Sequence, residues 1–218
     1  MSVQKKIDDG REYRSMQIEI VDTEEEERIV EGYATTFNEP YHLYYFDDEG
    51  HEVLEQVDRN AFRGADLSDV IMQYDHEGRV FARLSNGTLE LSEDEHGLKV
   101  RANLGGTALG RGLYEEIKGG YTNKMSFGFT VADASIEDKP DGNYIRTIKR
   151  IRKLYDVSAV SYPQNDLTEI SARNHCDGEI AEIEAERLRA EEEARIMQEK
   201  KERLLARLND LKGESNGD

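Results

Sequence analysis

Met125-Ser126-Phe127-Gly128-Phe129 is the stretch on which the reading of this chain turns. On an extended strand successive side chains point to opposite faces, so Phe127 and Phe129 share one face and Ser126, Gly128 and Thr130 the other. The two rings anchor the strand, and Gly128 leaves room beside the Ser126 hydroxyl. A serine hydroxyl is a weak nucleophile until a neighbouring base takes its proton, and histidine is the usual base because its pKa lies near neutrality. His76, in Tyr74-Asp75-His76-Glu77-Gly78, is the candidate base. Asp156, in the strand-forming run Leu154-Tyr155-Asp156-Val157-Ser158-Ala159-Val160, is the candidate acceptor that holds the imidazole in one tautomer. Ser158 and Ser161 read as ordinary sheet residues.

Outward from that stretch the chain reads as many short strands. Residues 14–21 and 28–37 form a hairpin around the acidic turn 22–27, with apolar alternation at Met16, Ile18 and Ile20. Asn38 to Gly50, rich in Tyr and Asp, reads as a loop whose aromatics either line a groove or pack on their own domain. Asn60 to Leu67 reads as a short helix capped by Asp58 or Asn60. Strand character returns at 69–75, 79–84, 87–92 and 97–104. Leu109, Leu113 and Ile117 make a helix stripe over 107–117 that stops at Gly119-Gly120. Lys139-Pro140-Asp141-Gly142-Asn143 is a turn joining the serine strand to the one that carries Asp156.

After Arg173 the composition changes. From Glu179 to Leu211 there is no Pro or Gly, and Ile180, Ile183, Ala190, Ala194, Met197, Leu204, Leu208 and Leu211 recur in three- and four-residue steps broken by Arg187 and Lys201. This is a heptad seam, the alternative being a lone charged helix.

The 218 residues suffice for one domain with a core plus an appendage. A formal net charge of −18 argues against a nucleic-acid partner, because neutralising phosphates needs clustered Lys and Arg. The one basic cluster, Lys149 to Lys153, reads as a solvated strand edge. Without a long apolar stretch or an apolar N-terminal core, a cytosolic protein with no membrane association is expected. The single Cys176 excludes an internal disulfide and fits a reducing compartment; a nucleophilic role beside His175 is the lesser reading. His42, His51 and His96 lie in acidic loops, where His42 and His51 with Asp47, Asp48 and Glu49 offer a weaker, metal-dependent reading without helical ligand spacing.

In wording and order these segments resemble the tailed-phage prohead (capsid maturation) serine protease family, related to herpesvirus assemblin. Gly32-Tyr33-Ala34-Thr35-Thr36-Phe37 is similar to the family's early strand, and Val57-Asp58-Arg59-Asn60-Ala61-Phe62 to the segment that follows. The strand, histidine and Gly78-Arg79-Val80 around His76, the serine pentapeptide, and Asp156 through Pro163 follow the family's pattern over about residues 14 to 173. The resemblance implies an α+β, mainly β fold: an assemblin-like β-barrel with peripheral helices, followed by the long C-terminal helix or coiled coil. It divides the chain into a catalytic domain over 1–175 and an acidic helical extension over 176–218. It implies a serine endopeptidase with His76, Ser126 and Asp156 catalytic and with no cofactor or metal. That enzyme would act in the host cytoplasm, inside the assembling prohead, on the scaffold region of the major capsid protein and on itself, with self-association through the C-terminal helix. Two departures stand out: Asp156 where the family usually has glutamate, which leaves the bond to His76 needing a small backbone shift or a water, and Gln164 after Pro163. The shorter acid sustains the alternative, a catalytically inactive scaffolding or interaction protein on the same fold.

Overall fold

The computed structural model describes the backbone of residues 10–20, 28–161 and 166–214, and the side chains of these apart from 17, 19, 20, 166–175 and 206–214. In order, the described elements are β1 (Glu12–Ile20), β2 (Ile29–Thr36), β3 (Tyr41–Tyr45), β4 (Glu52–Val57), β5 (Ile71–Tyr74), β6 (Glu77–Arg83), β7 (Leu89–Glu93), β8 (Gly97–Asn103), α1 (Ala108–Lys118), β9 (Lys124–Asp138), β10 (Tyr144–Val160) and α2 (Asp166–Glu214). The fold is mainly β. Two compact units are distinguished, Met1–Cys176 and Asp177–Asp218, the boundary falling within α2. No helix of the described residues is long and apolar enough to cross a membrane.

The first unit is organised by β9 and β10, which pair antiparallel along most of their length. Their turn closes as the sequence predicts: Lys139 N–H donates to Asn143 O, and Gly142 adopts φ +85°, a conformation glycine takes without strain. The hydrogen-bonded order is β3-β4-β10-β9-β1-β2-β8-β7, with β5 paired to β10 and β6 to β5. Among the described residues this is an open path, not the closed barrel expected from the sequence. β1 turns the sheet by pairing with β9 through residues 12–17 and with β2 through residues 18–20. The acidic turn between β1 and β2 lies outside the described residues.

The core lies between these strands, where Val30, Val100, Phe127, Phe129, Ile148, Leu154 and Val157 cluster with almost no exposure. Phe127 and Phe129 stack with centroids 4.6 Å apart, the anchoring role read from the pentapeptide. Each such side chain contributes roughly 1.5–3 kcal/mol through burial. Helix α1 starts where Thr107 Oγ accepts from Gly110 N–H and buries Leu113 and Ile117. Leu109, placed in the stripe by its spacing, is half exposed; Gly110 is buried instead, so close to Leu104 that a Cβ there would meet Leu104 O at 2.3 Å.

Three local expectations are corrected. Residues 41–45 are not loop but β3, paired antiparallel with β4. Asn60 to Leu67 is not a helix but a chain of turns, with Ala61 N–H donating to Asp58 O and Arg63 N–H to Asn60 O. That segment has another use for its backbone: Ala61 O accepts from Ile151 N–H and Asp66 N–H donates to Arg152 O. Residues 52–74 therefore run beside β10, as β4, then turns, then β5, both strands being parallel to it. For the same reason Lys149 to Lys153 is not a sheet edge; it is a bulged stretch of an internal strand that buries Ile151 and points its charges outward.

One buried polar cluster ties β1, β3, β4 and β10 together. Glu55 accepts from Arg14, Arg146 and Tyr41, while Glu12 accepts from both arginines. Burial alone would raise the Glu55 pKa, but the charges of Arg14 and Arg146 and their hydrogen bonds hold it near 2, against an ordinary 4.5. A depressed carboxyl contributes its stability fully above about 4.5 and loses it as pH falls towards 2. Removing one partner of a buried ion pair costs roughly 3–5 kcal/mol. Glu55→Gln is therefore expected to destabilise the chain by that order in denaturant at neutral pH. The gap from wild type should close on acidification from pH 4.5 towards 2; a gap that stays constant would contradict this role.

Candidate active site

Two rows of residues cross the sheet at right angles to β1, β9 and β10. Ser15, Ser126 and Ser158 make one row, and Tyr13, Gly128 and Asp156 the next. Ser126 and Asp156 are thus diagonal neighbours on adjacent strands, a separation of roughly 7–8 Å between backbones. A direct hydrogen bond cannot span that diagonal, but an imidazole can. The ring comes from the β5–β6 hairpin, because β5 lies against the other side of β10 with Tyr74 opposite Ala159.

The hairpin turns through Asp75 and His76, at φ +49° and +59°. Positive φ at both central residues is the geometry of a two-residue turn that suits the strand twist and normally favours Asn-Gly or Asp-Gly. For other side chains it costs of order 1–2 kcal/mol per residue. His76 Nε2 lies 2.8 Å from Ser126 Oγ and Nδ1 lies 2.5 Å from Asp156 Oδ1. Against a carboxylate, which only accepts, Nδ1 carries the hydrogen and Nε2 is free to accept the Ser126 O–H. Side-chain exposure is only 10% for His76 and 5% for Asp156, so solvent competes little for these bonds. The three residues singled out from the sequence are therefore in one chain of contacts, within reach for moving a proton from serine to imidazole.

The family model described as Caudovirus prohead serine protease matches residues 14–181. The chain belongs to this family. The match of the prohead protease model begins at Arg14 within β1 and runs through β2 to β10, with the Ser126 pentapeptide, into the start of α2. No curated protein and no solved structure gives a significant match.

For a member of this family the shorter Asp156 is accommodated without a water, since its bond to His76 is direct. A register shift between Leu154 and Asp156 immediately precedes the acid, and such bulges re-aim side chains. Gln164, the other departure, lies outside the described residues. Ser158, read as a plain sheet residue, is fully buried and donates from Oγ to Asp156 Oδ1 at 2.7 Å. Tyr13 was not singled out either; its ring packs on His76 with centroids 4.2 Å apart. Neither has a local signal in the sequence, because each depends on register across the sheet. Gly128 also serves differently from the reading: the space it leaves is filled by Asp156 and Tyr13.

Other candidates are not drawn into the site. His51 binds Asp47 at 2.6 Å and sits with Glu49, which raises its pKa, chiefly through the Asp47 bond; His42 is instead within 3.7 Å of Glu52. Asp47, Glu49 and His51 are the described residues grouped closely enough to hold a cation, and they form an exposed turn. Cys176 is buried, which pushes its thiol up to about 11 and leaves it in the unreactive protonated form at neutral pH. Most aromatics of 37–46 pack on their own unit: Phe37 and Tyr44 are buried and Phe46 meets Tyr144 edge-on, while Tyr45 is exposed beside His42. An open groove of about 530 Å³ runs instead along the β5–β6 hairpin, bounded by Tyr74, Glu77, Arg79, Phe81 and by Leu109 of α1.

A Cβ on Gly128 would stand 2.6 Å from Asp156 Oδ2 and 2.7 Å from the Tyr13 ring. Gly128→Ala is expected to cost roughly 1–3 kcal/mol through overpacking and to break the His76–Asp156 contact. Denaturant unfolding and the His76 ring nitrogen shifts by NMR check both; an unperturbed imidazole would overturn the close fit.

Proposed function

We propose that this chain is an active serine endopeptidase of phage capsid maturation. The observation that supports it most is the bridging of Ser126 Oγ and Asp156 by one imidazole, in a chain of the prohead protease family. In this reading Ser126 Oγ attacks the peptide carbonyl carbon while His76 Nε2 takes its proton. Asp156 holds the imidazolium through Nδ1–H. Collapse of the tetrahedral intermediate breaks the C–N bond, and His76 returns the proton to the leaving amine. A water, deprotonated by the same imidazole, then releases the acyl group and restores Ser126. General acid–base assistance of this kind contributes about 10²–10⁴-fold.

The substrates in this reading are the scaffold region of the major capsid protein and the chain itself, inside the assembling prohead. Kinship with herpesvirus assemblin rests on the order of the motifs. Residues 176–218 serve as an acidic tether to the scaffold, removed by self-cleavage. Self-association through α2 draws support from Leu188, Met197, Leu204 and Leu205, each more than half exposed on a helix that a partner could cover.

Co-expression with the capsid protein, followed by intact-mass spectrometry, tests the proposal. Ser126→Ala is expected to abolish cleavage of both chains, a loss of at least about 10⁴-fold, while remaining folded. Unchanged cleavage would remove Ser126 from the reaction. Absence of cleavage in wild type would favour the scaffolding alternative. A chain ending at Arg173 should fail to enter proheads if the extension is the tether.

A further inference from the structure

The β5–β6 turn carries His76, and both of its central residues lie in the left-handed region. A histidine held there keeps its aim only if the turn itself is held. Tyr13 packs on the ring, but the backbone of the turn is fixed from the side of β10 by Asp75. Asp75 N–H donates to Ala159 O at 2.9 Å. Its carboxylate takes both donors of Ser161: the backbone N–H on Oδ1 and the hydroxyl on Oδ2, each at 2.8 Å. The turn is thereby tied to the end of the strand that carries Asp156 and Ser158.

We propose that Asp75 is a positioning residue, whose two-pronged clasp on Ser161 sets where His76 stands between Ser126 and Asp156. The inference rests on the reading of His76 as the base. Two oxygens bound to one residue fix both the position and the rotation of the carboxylate, which a single bond does not. Because the clasp faces solvent it adds little to stability. Its effect falls instead on geometry, where a displacement of about 1 Å can cost on the order of 10²-fold in rate. The sequence around the motif then has a physical account: an acid precedes the histidine because the acid holds the turn that presents it.

Three variants of the full chain test this. Glycine accepts positive φ, so Asp75→Gly removes the clasp without straining the turn. Asparagine also tolerates positive φ and can rebuild the clasp, accepting from Ser161 N–H through Oδ1 and donating from Nδ2 to Ser161 Oγ. Ser161→Ala removes one of the two bonds. The readouts are the rate at which a fluorophosphonate labels Ser126, with Ser126→Ala as blank, and the NMR signal of the His76 Nδ1 proton. Asp75→Gly should label roughly 10- to 100-fold more slowly, with its melting temperature near that of wild type and the Nδ1 proton signal broadened by exchange with water. Asp75→Asn should rescue most of the loss, and Ser161→Ala should fall between. Wild-type labelling together with a sharp proton signal in Asp75→Gly would overturn the clasp. If wild type itself is not labelled, the reading of Ser126 as nucleophile has failed and the proton signal alone decides. Lost in Asp75→Gly and restored in Asp75→Asn, it upholds the clasp; unchanged in both, it overturns it.

Discussion

The register between β9 and β10 is the constraint on which the rest of the molecule depends. It sets Ser158 opposite Ser126 and Asp156 opposite Gly128, and through β1 it brings Tyr13 into the same row. Side chains alternate with a period of two, so a slip of one residue would send Ser126 into the core and bring Phe127 out to face the imidazole. The stacked phenylalanines oppose that slip with the burial of two large rings. The hydrophobic effect thus holds the hydroxyl in place from the opposite face.

β1 links this face to the polar interior. Tyr13 packs on His76, while its neighbours Glu12 and Arg14 enter the buried cluster with Glu55 and Arg146. Charges so placed stabilise less than their number suggests, because desolvation offsets much of the attraction. Their value lies in directionality. Glu55 on β4 must meet arginines from both β1 and β10, which pins three strands in relative position. Apolar contacts alone would tolerate sliding between those strands; paired guanidinium and carboxylate groups do not.

Much of the site was legible in the sequence where the signal is local. The alternation around Ser126, the Pro-Asp-Gly turn before β10 and the helix ending at Gly119-Gly120 each act within a few residues, and each stands where the sequence places it. What stayed hidden depends on distant partners. β3 and β4 were missed because Tyr41 and Glu55 look like surface residues until their mutual bond and the two arginines are known. The turns of 60–66 were read as a helix because their use of β10 as a hydrogen-bond partner has no local mark. Ser158, Ser161 and Tyr13 gain their roles from register and bulges, and the open strand order, unlike the expected barrel, is a property of the whole sheet.

The run of residues 52–74 alongside β10 bears on the order in which the chain can complete itself. β10 is the last of the described strands, and parallel pairing across so long a separation forms late, after more local hairpins. A chain emerging from the ribosome holds Ser126 and the hairpin with His76 well before it holds the strand that supplies the acid and docks that hairpin. The trio is therefore assembled last, by the strand directly ahead of the C-terminal helix. A nascent chain lacks the arrangement until β10 has emerged and paired, so whatever reactivity the trio carries is withheld from shorter chains by the order of synthesis itself.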